Sequence, residues 1–227
     1  LYADGALSAP IPGVPAVAET GQGGLLDVAV APDFAETGTI FLSYSEPGEG
    51  GAGTAIARAR LVLDGETPRL EDVTTIFSMN RKTGAGQHFG SRIVLHPDGT
   101  LFFTIGDRGE GGRAQDPTDH AGSVLRINRD GSIPQDNPFA NTPDAAHEIW
   151  SMGHRNPQGM VFDPVTQSIW TVEHGARGGD EVNRPEAGKN YGWPVISYGV
   201  NYSGTQIGQG TEAPGYEQPE YYWDPSI

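Results

Sequence analysis

Three stretches of this chain repeat one another in register, and that repeat limits the possible folds more than any other feature. The first runs Gly21-Gln22-Gly23-Gly24-Leu25-Leu26-Asp27-Val28-Ala29-Val30-Ala31-Pro32 and resumes at Thr39-Ile40-Phe41-Leu42-Ser43-Tyr44. The second runs Gly86-Gln87-His88-Phe89-Gly90-Ser91-Arg92-Ile93-Val94-Leu95-His96-Pro97 and resumes at Thr100-Leu101-Phe102-Phe103-Thr104-Ile105. The third runs Gly153-His154-Arg155-Asn156-Pro157-Gln158-Gly159-Met160-Val161-Phe162-Asp163-Pro164 and resumes at Ser168-Ile169-Trp170-Thr171-Val172. The prolines fall at 32, 97 and 164, spacings of 65 and 67 residues, and in each copy a glycine stands eleven residues before the proline. Each unit reads as a short apolar strand, a turn at the proline, and a second strand of β-branched and aromatic residues. Asp98-Gly99 is a direct hairpin signal. Ala55–Val62 and Ser123–Ile127 supply further strands between the repeats.

Four strands per unit at this period predict propeller blades rather than a β-sandwich with coincidental spacing. The expected class is all-β: a six-bladed β-propeller of four-stranded antiparallel blades, with residues 1–227 forming one domain. At about 66 residues per unit, 227 residues make little more than three blades. Propellers close with about four to eight, and an open one exposes edge strands. The arithmetic therefore predicts an incomplete propeller, with blades missing at one or both ends.

Composition excludes several functions. With 29 acidic against 14 basic residues, the formal net charge is −15. A phosphate-binding surface needs a basic stripe, so nucleic acid is not an expected partner. There are no cysteines, which removes disulfides, thiolate catalysis and iron–sulfur clusters. No apolar run approaches the ~20 residues of a membrane span, and the first residues show no signal-peptide pattern.

The repeat also locates a site. Just after each repeat glycine, polar side chains enter a strand that should be apolar: Gln22, then Gln87 and His88, then His154, Arg155 and Asn156. Equal offsets in a propeller are equal structural positions, so these residues are expected to converge at the central axis. The strand exits repeat the theme with Asp107, and with Glu173 and His174. A His88–Asp107 pair would be a base with an orienting carboxylate. The stretch Glu173-His174-Gly175-Ala176-Arg177-Gly178-Gly179-Asp180-Glu181 combines glycines, which let carbonyls turn inward, with the hard oxygen ligands that Ca²⁺ prefers. Gly48-Glu49-Gly50-Gly51-Ala52-Gly53 matches a dinucleotide fingerprint, but the alternating residues after it predict a strand where that motif needs a helix. Asp116, Asp119 and His120, with Pro117 among them, predict an exposed turn rather than a metal site.

At these motifs the chain resembles the soluble glucose/sorbosone dehydrogenases that depend on pyrroloquinoline quinone (PQQ), and the aldose sugar dehydrogenase branch in particular. The resemblance also rests on Thr104-Ile105-Gly106-Asp107, Asp130-Gly131-Ser132-Ile133-Pro134-Gln135-Asp136-Asn137-Pro138-Phe139 and Gly188-Lys189-Asn190-Tyr191-Gly192-Trp193-Pro194, and it spans residues 21–194. It implies oxidation of an aldose sugar at C1, with electrons passed to PQQ and then to an external acceptor, in a periplasmic or extracellular setting. By motif match, His88 would be the general base and Asp107 its support. Gln22, Arg155 and Asn156 would contact PQQ. Carbonyls of Gly175 and Ala176 would hold the Ca²⁺ that also binds PQQ, and Glu181 and Tyr191 would hold a second Ca²⁺. Ala176 stands where a proline is common in the family, and the family's further cationic cofactor contacts fall beyond Ile227. Sugar preference falls to loops such as 107–120 and 196–215. Two other readings remain open: a Ca²⁺-dependent propeller lactonase, and a propeller that binds sugar or protein without catalysis.

Overall fold

The run Thr100–Ile105 is apolar or β-branched at every position, the mark of a strand covered on both faces. A computed structural model describing residues 1–3, 5–64 and 67–226 places it at the heart of an all-β molecule. Strands β1 (Tyr2–Ala3) and β2 (Ala6–Leu7) form a small separate ladder. The first sheet comprises β3 (Leu25–Val30), β4 (Thr39–Gly48), β5 (Gly51–Val62) and β6 (Arg69–Ser78). The second comprises β7 (Ile93–Leu95), β8 (Thr100–Ile105), β9 (Ser123–Asn128) and β10 (Ile149–Met152). The third comprises β11 (Pro157–Asp163), β12 (Ser168–Glu173), β13 (Asp180–Asn183) and β14 (Tyr221–Trp223). Each is an antiparallel meander in chain order. Among the described residues, helix is confined to α1 (Phe34–Thr37) and a 3₁₀ turn at Gly111–Gln115.

Each Gly–Pro repeat is the first hairpin of a sheet, and all three prolines lie in its turn. Two of the three repeat glycines stand where the chain crowds and turns left-handed. Gly21 has φ +61°, and a Cβ there would lie 2.2 Å from the Gly86 carbonyl oxygen. A Cβ on Gly153, at φ +80°, would lie 2.1 Å from Asn190 Oδ1. No L side chain fits either place. The Gly48–Gly53 run is the β4/β5 hairpin, with Gly48 paired to Gly51, so a strand follows it as expected.

Packing between sheets follows from strand alternation. Leu101, Phe103 and Ile105 of β8 join Phe41, Ile56, Phe77, Leu125 and Ile127 between the first and second sheets. Phe102, on the opposite face, joins Val124, Met160 and Ile169 between the second and third. The outer sheets each keep an open face. On the first, Val28 and Val30, cross-strand partners of Leu42 and Ile40, remain 58% and 56% exposed. On the third, Val161 and Val172 remain 60% and 46% exposed. Polar links also join the sheets: Ile93 N–H donates to Asp27 Oδ2 at 2.9 Å, and Thr104 Oγ1 donates to the Pro157 carbonyl at 2.8 Å.

One expectation is corrected. Asp119 and His120 do not lie in an exposed turn; both are buried. Arg113 forks onto Asp119 at 2.8 and 3.0 Å, and His120 accepts the Asn80 N–H at Nδ1 and meets Glu148 through Nε2 at 3.1 Å. Pro117 and Thr118 are exposed, while Asp119 is held by Arg113 and His120 by Asn80 and Glu148 from distant segments.

Candidate active site

His88 sits in the segment leading into β7 and adopts φ +56°, the left-handed region that non-glycine residues rarely occupy. Its Nδ1 lies 2.6 Å from Asp107 Oδ1. The ionised carboxylate only accepts, so Nδ1 carries the proton and Nε2 presents a lone pair. Asp107 follows β8 and is buried. Its Oδ1 also accepts from Gly109 N–H at 2.7 Å, and its Oδ2 accepts from Trp193 Nε1–H at 2.7 Å. Gly106 makes this approach possible: a Cβ there would lie 2.5 Å from the His88 carbonyl oxygen.

The neighbouring sheets close around this pair. His88 N–H donates to Gln22 Oε1 at 2.8 Å, Gly90 N–H donates to Asn156 Oδ1 at 3.3 Å, and Asp107 N–H donates to the Arg155 carbonyl at 2.8 Å. The first two contacts each span 66 residues, one repeat. Backbone N–H donors fix both amides with their oxygens inward, so Gln22 and Asn156 each keep an NH₂ to offer a ligand. Gln87 stays outside the pair and lies against Gly109.

A second histidine–carboxylate pair, also 19 residues apart, repeats the arrangement one sheet on. His154 Nδ1 lies 2.8 Å from Glu173 Oε1, and its Nε2 meets Ser151 Oγ at 2.9 Å. This pair is sealed inside the protein and has no free nitrogen. Its task is structural: Glu173 Oε2 accepts Arg155 N–H at 2.7 Å and so places Arg155. The Arg155 guanidinium donates to the carbonyls of His174, at 3.0 Å, and Gly175, and through Nη2 to Tyr202 Oη at 3.3 Å. It also lies over the Trp193 ring, 5.3 Å from its centroid.

The residues expected to hold metal divide. Glu181 and Tyr191 line one cavity of about 10 Å³ with Glu173, Gly175, Arg155 and Trp193. That is room for one water-sized occupant. Burial, together with the charges of Glu173 and Asp180, pushes the Glu181 carboxyl up to about 8 against a hydrogen bond from Asn183. Asn183 Oδ1 is buried without a partner. A carboxyl that resists ionising beside an orphan oxygen fits a bound cation. Burial also raises the Tyr191 hydroxyl. That hydroxyl donates to the Arg184 carbonyl at 2.5 Å and accepts from Glu186 N–H at 3.1 Å, which leaves the Tyr191 carbonyl for a metal. Ala176 is not a wall of this cavity; it turns back to pair with Gly178. Among the described residues no three His, Cys, Asp or Glu side chains converge to hold a metal alone, so backbone carbonyls would have to complete any Ca²⁺ shell. Sequence reasoning assigned no role to Trp193, Ser151 or Asn183. The one cue to Trp193 was its place in the Gly188–Pro194 motif.

Comparison with known proteins shows the family. The Glucose / Sorbosone dehydrogenase family profile matches residues 1–227. An aldose sugar dehydrogenase of Escherichia coli strain K12 is 48% identical over 223 residues, covering 97% of this chain and 60% of that protein. Quinoprotein glucose dehydrogenase B of Acinetobacter calcoaceticus is 30% identical over 78% of this chain and 41% of its own length. The PQQ-bound aldose sugar dehydrogenase of Streptomyces coelicolor superposes with a TM-score of 0.75 at 29% identity, covering 92% of this chain and 56% of that one. The chain thus spans about 60% of the length of its E. coli relative, and by sequence and fold it belongs to the glucose/sorbosone dehydrogenase family.

Proposed function

We propose that the protein carrying this chain oxidises aldose sugars at C1 to lactones, using PQQ held by Ca²⁺ and returning the electrons to an external acceptor. The observation that carries the reading is the His88–Asp107 pair, with Nε2 open and the Arg155 cation one sheet away. His88 Nε2 takes the proton of the anomeric hydroxyl, and Asp107 holds the ring and stabilises the imidazolium that forms. Arg155 stabilises negative charge developing on the ligand's oxygen, and the amides of Gln22 and Asn156 orient the cofactor. Bound PQQ would supply an electrophilic quinone carbonyl as hydride acceptor, and Ca²⁺ held beside it would polarise that carbonyl. Gly175 and Ala176 carbonyls are the proposed ligands of that ion, and Glu181 with the Tyr191 carbonyl those of a second. The relatives named for sugars and for PQQ support the substrate class and cofactor.

At the level of architecture we propose a six-bladed ring in which these three sheets are consecutive blades of one domain, in a protein located in the periplasm or outside the cell. The open valine faces of the first and third sheets suit burial against further blades. The test is dye reduction by glucose and other aldoses with added PQQ and Ca²⁺, in this chain and in the full-length protein. His88→Ala is expected to lower the rate about 10²–10⁴-fold. If the full-length protein neither binds PQQ nor reduces the dye, the reading fails, and lactone hydrolysis or sugar binding becomes the next assay.

A further inference from the structure

Three donors hold the Asp107 carboxylate, and one of them comes from the long segment between β13 and β14. Trp193 Nε1–H reaches Oδ2 at 2.7 Å, while Oδ1 takes His88 and Gly109. The face of the same indole lies beneath Arg155, 5.3 Å from guanidinium carbon to ring centroid, within cation–π range. The ring is itself anchored. Trp193 N–H donates to the Gly153 carbonyl at 2.9 Å, and Gln115 Nε2 donates to the Trp193 carbonyl at 2.8 Å. Gly111 leaves space for it: a Cβ there would stand 3.2 Å from the indole nitrogen.

We infer that Trp193 is a positioning residue for the oxidation, its edge fixing the Asp107–His88 pair and its face seating the Arg155 guanidinium. The inference rests on reading His88 as the base. A donor on Oδ2 holds the carboxylate in one rotation, with Oδ1 against Nδ1, and withdraws charge from it. Losing that donor leaves Asp107 a stronger partner for the imidazolium, so His88 holds its proton to higher pH. The charged groups nearest Asp107 are His88 and the adjacent Arg108, with the Arg155 guanidinium across the Trp193 ring. Trp193→Phe removes none of them and keeps a ring face for Arg155, so it isolates the N–H.

The experiment titrates His88 by NMR in this chain without cofactor, native against Trp193→Phe. The His88 pKa is expected to rise by about half a unit in the variant. An unchanged value in a folded variant overturns the inference. If Trp193→Phe does not fold, Asp107→Asn serves instead: the Trp193 indole proton should move upfield from its place in the native chain, and an unmoved resonance overturns the inference equally. The acid limb of sugar oxidation should follow the His88 shift. A shifted His88 in a protein that oxidises no sugar leaves the positioning of the base standing and sinks the dehydrogenase reading; oxidation with an unshifted His88 does the reverse.

Discussion

Glu181 is half-buried and faces Glu173 and then Asp180, and desolvation with those charges pushes its carboxyl up to about 8. A carboxyl raised in the folded state binds its proton more tightly there than in the unfolded chain. Its contribution to stability is therefore complete below an ordinary glutamate pKa and is lost as pH rises toward 8. Without Ca²⁺ the melting temperature should fall from pH 5 to pH 8, and Glu181→Gln should flatten that fall. A cation can replace the proton, so added Ca²⁺ should raise the melting temperature more at pH 8 than at pH 5; thermal melts in chelator and in Ca²⁺ check both. Arg108 poses the opposite problem. It is fully buried, 3.5 Å over the Phe89 ring, with Nε and Nη1 unpartnered, and burial followed by the charge of Arg113 pushes it down to about 10. Asp107 and the Ala85 carbonyl compensate this buried cation only in part, and exchanging such a group for an apolar chain of similar volume is commonly neutral or stabilising. Arg108→Met should therefore leave the urea midpoint unchanged or raise it, where most buried substitutions lower it.

At the scale of the elements, strand alternation makes adjacent positions unequal. Met160 and Val161 are neighbours on β11, one packed between sheets and the other on the open face. Met160→Ala should cost about 2–5 kcal/mol in chemical denaturation, and Val161→Thr no more than about 0.5. This periodicity is why the hairpins at Pro32, Pro97 and Pro164 were readable from residues alone, as were β5, β9 and the convergence of Gln22, His88, Arg155 and Asn156. Whatever obeys the repeat can be located by it. The burial of Asp119 and His120 was not readable, because the partners Arg113 and Asn80 follow no period. The contact of Trp193 with Asp107, 86 residues apart, was equally hidden. Nor was β14, which reaches the third sheet only after the long irregular segment 184–220 and carries no alternation across its three residues.

For the whole molecule, one arrangement has a consequence for the order of folding. Every ladder within a sheet joins strands adjacent in the chain, and even the longest of these connections, 184–220, is shorter than the 66 residues spanned by the site contacts. The contacts that assemble the site, Gln22 with His88 and Gly90 with Asn156, reach across 66 residues from sheet to sheet. Non-local contacts form late and open at lower cost than a sheet's own ladders. Under rising denaturant the His88 resonances should therefore change before the far-ultraviolet β signal does; coincident transitions would refute this. A chain built this way acquires its reactive geometry only after its scaffold is complete, and mild stress can silence the chemistry while the strands still stand.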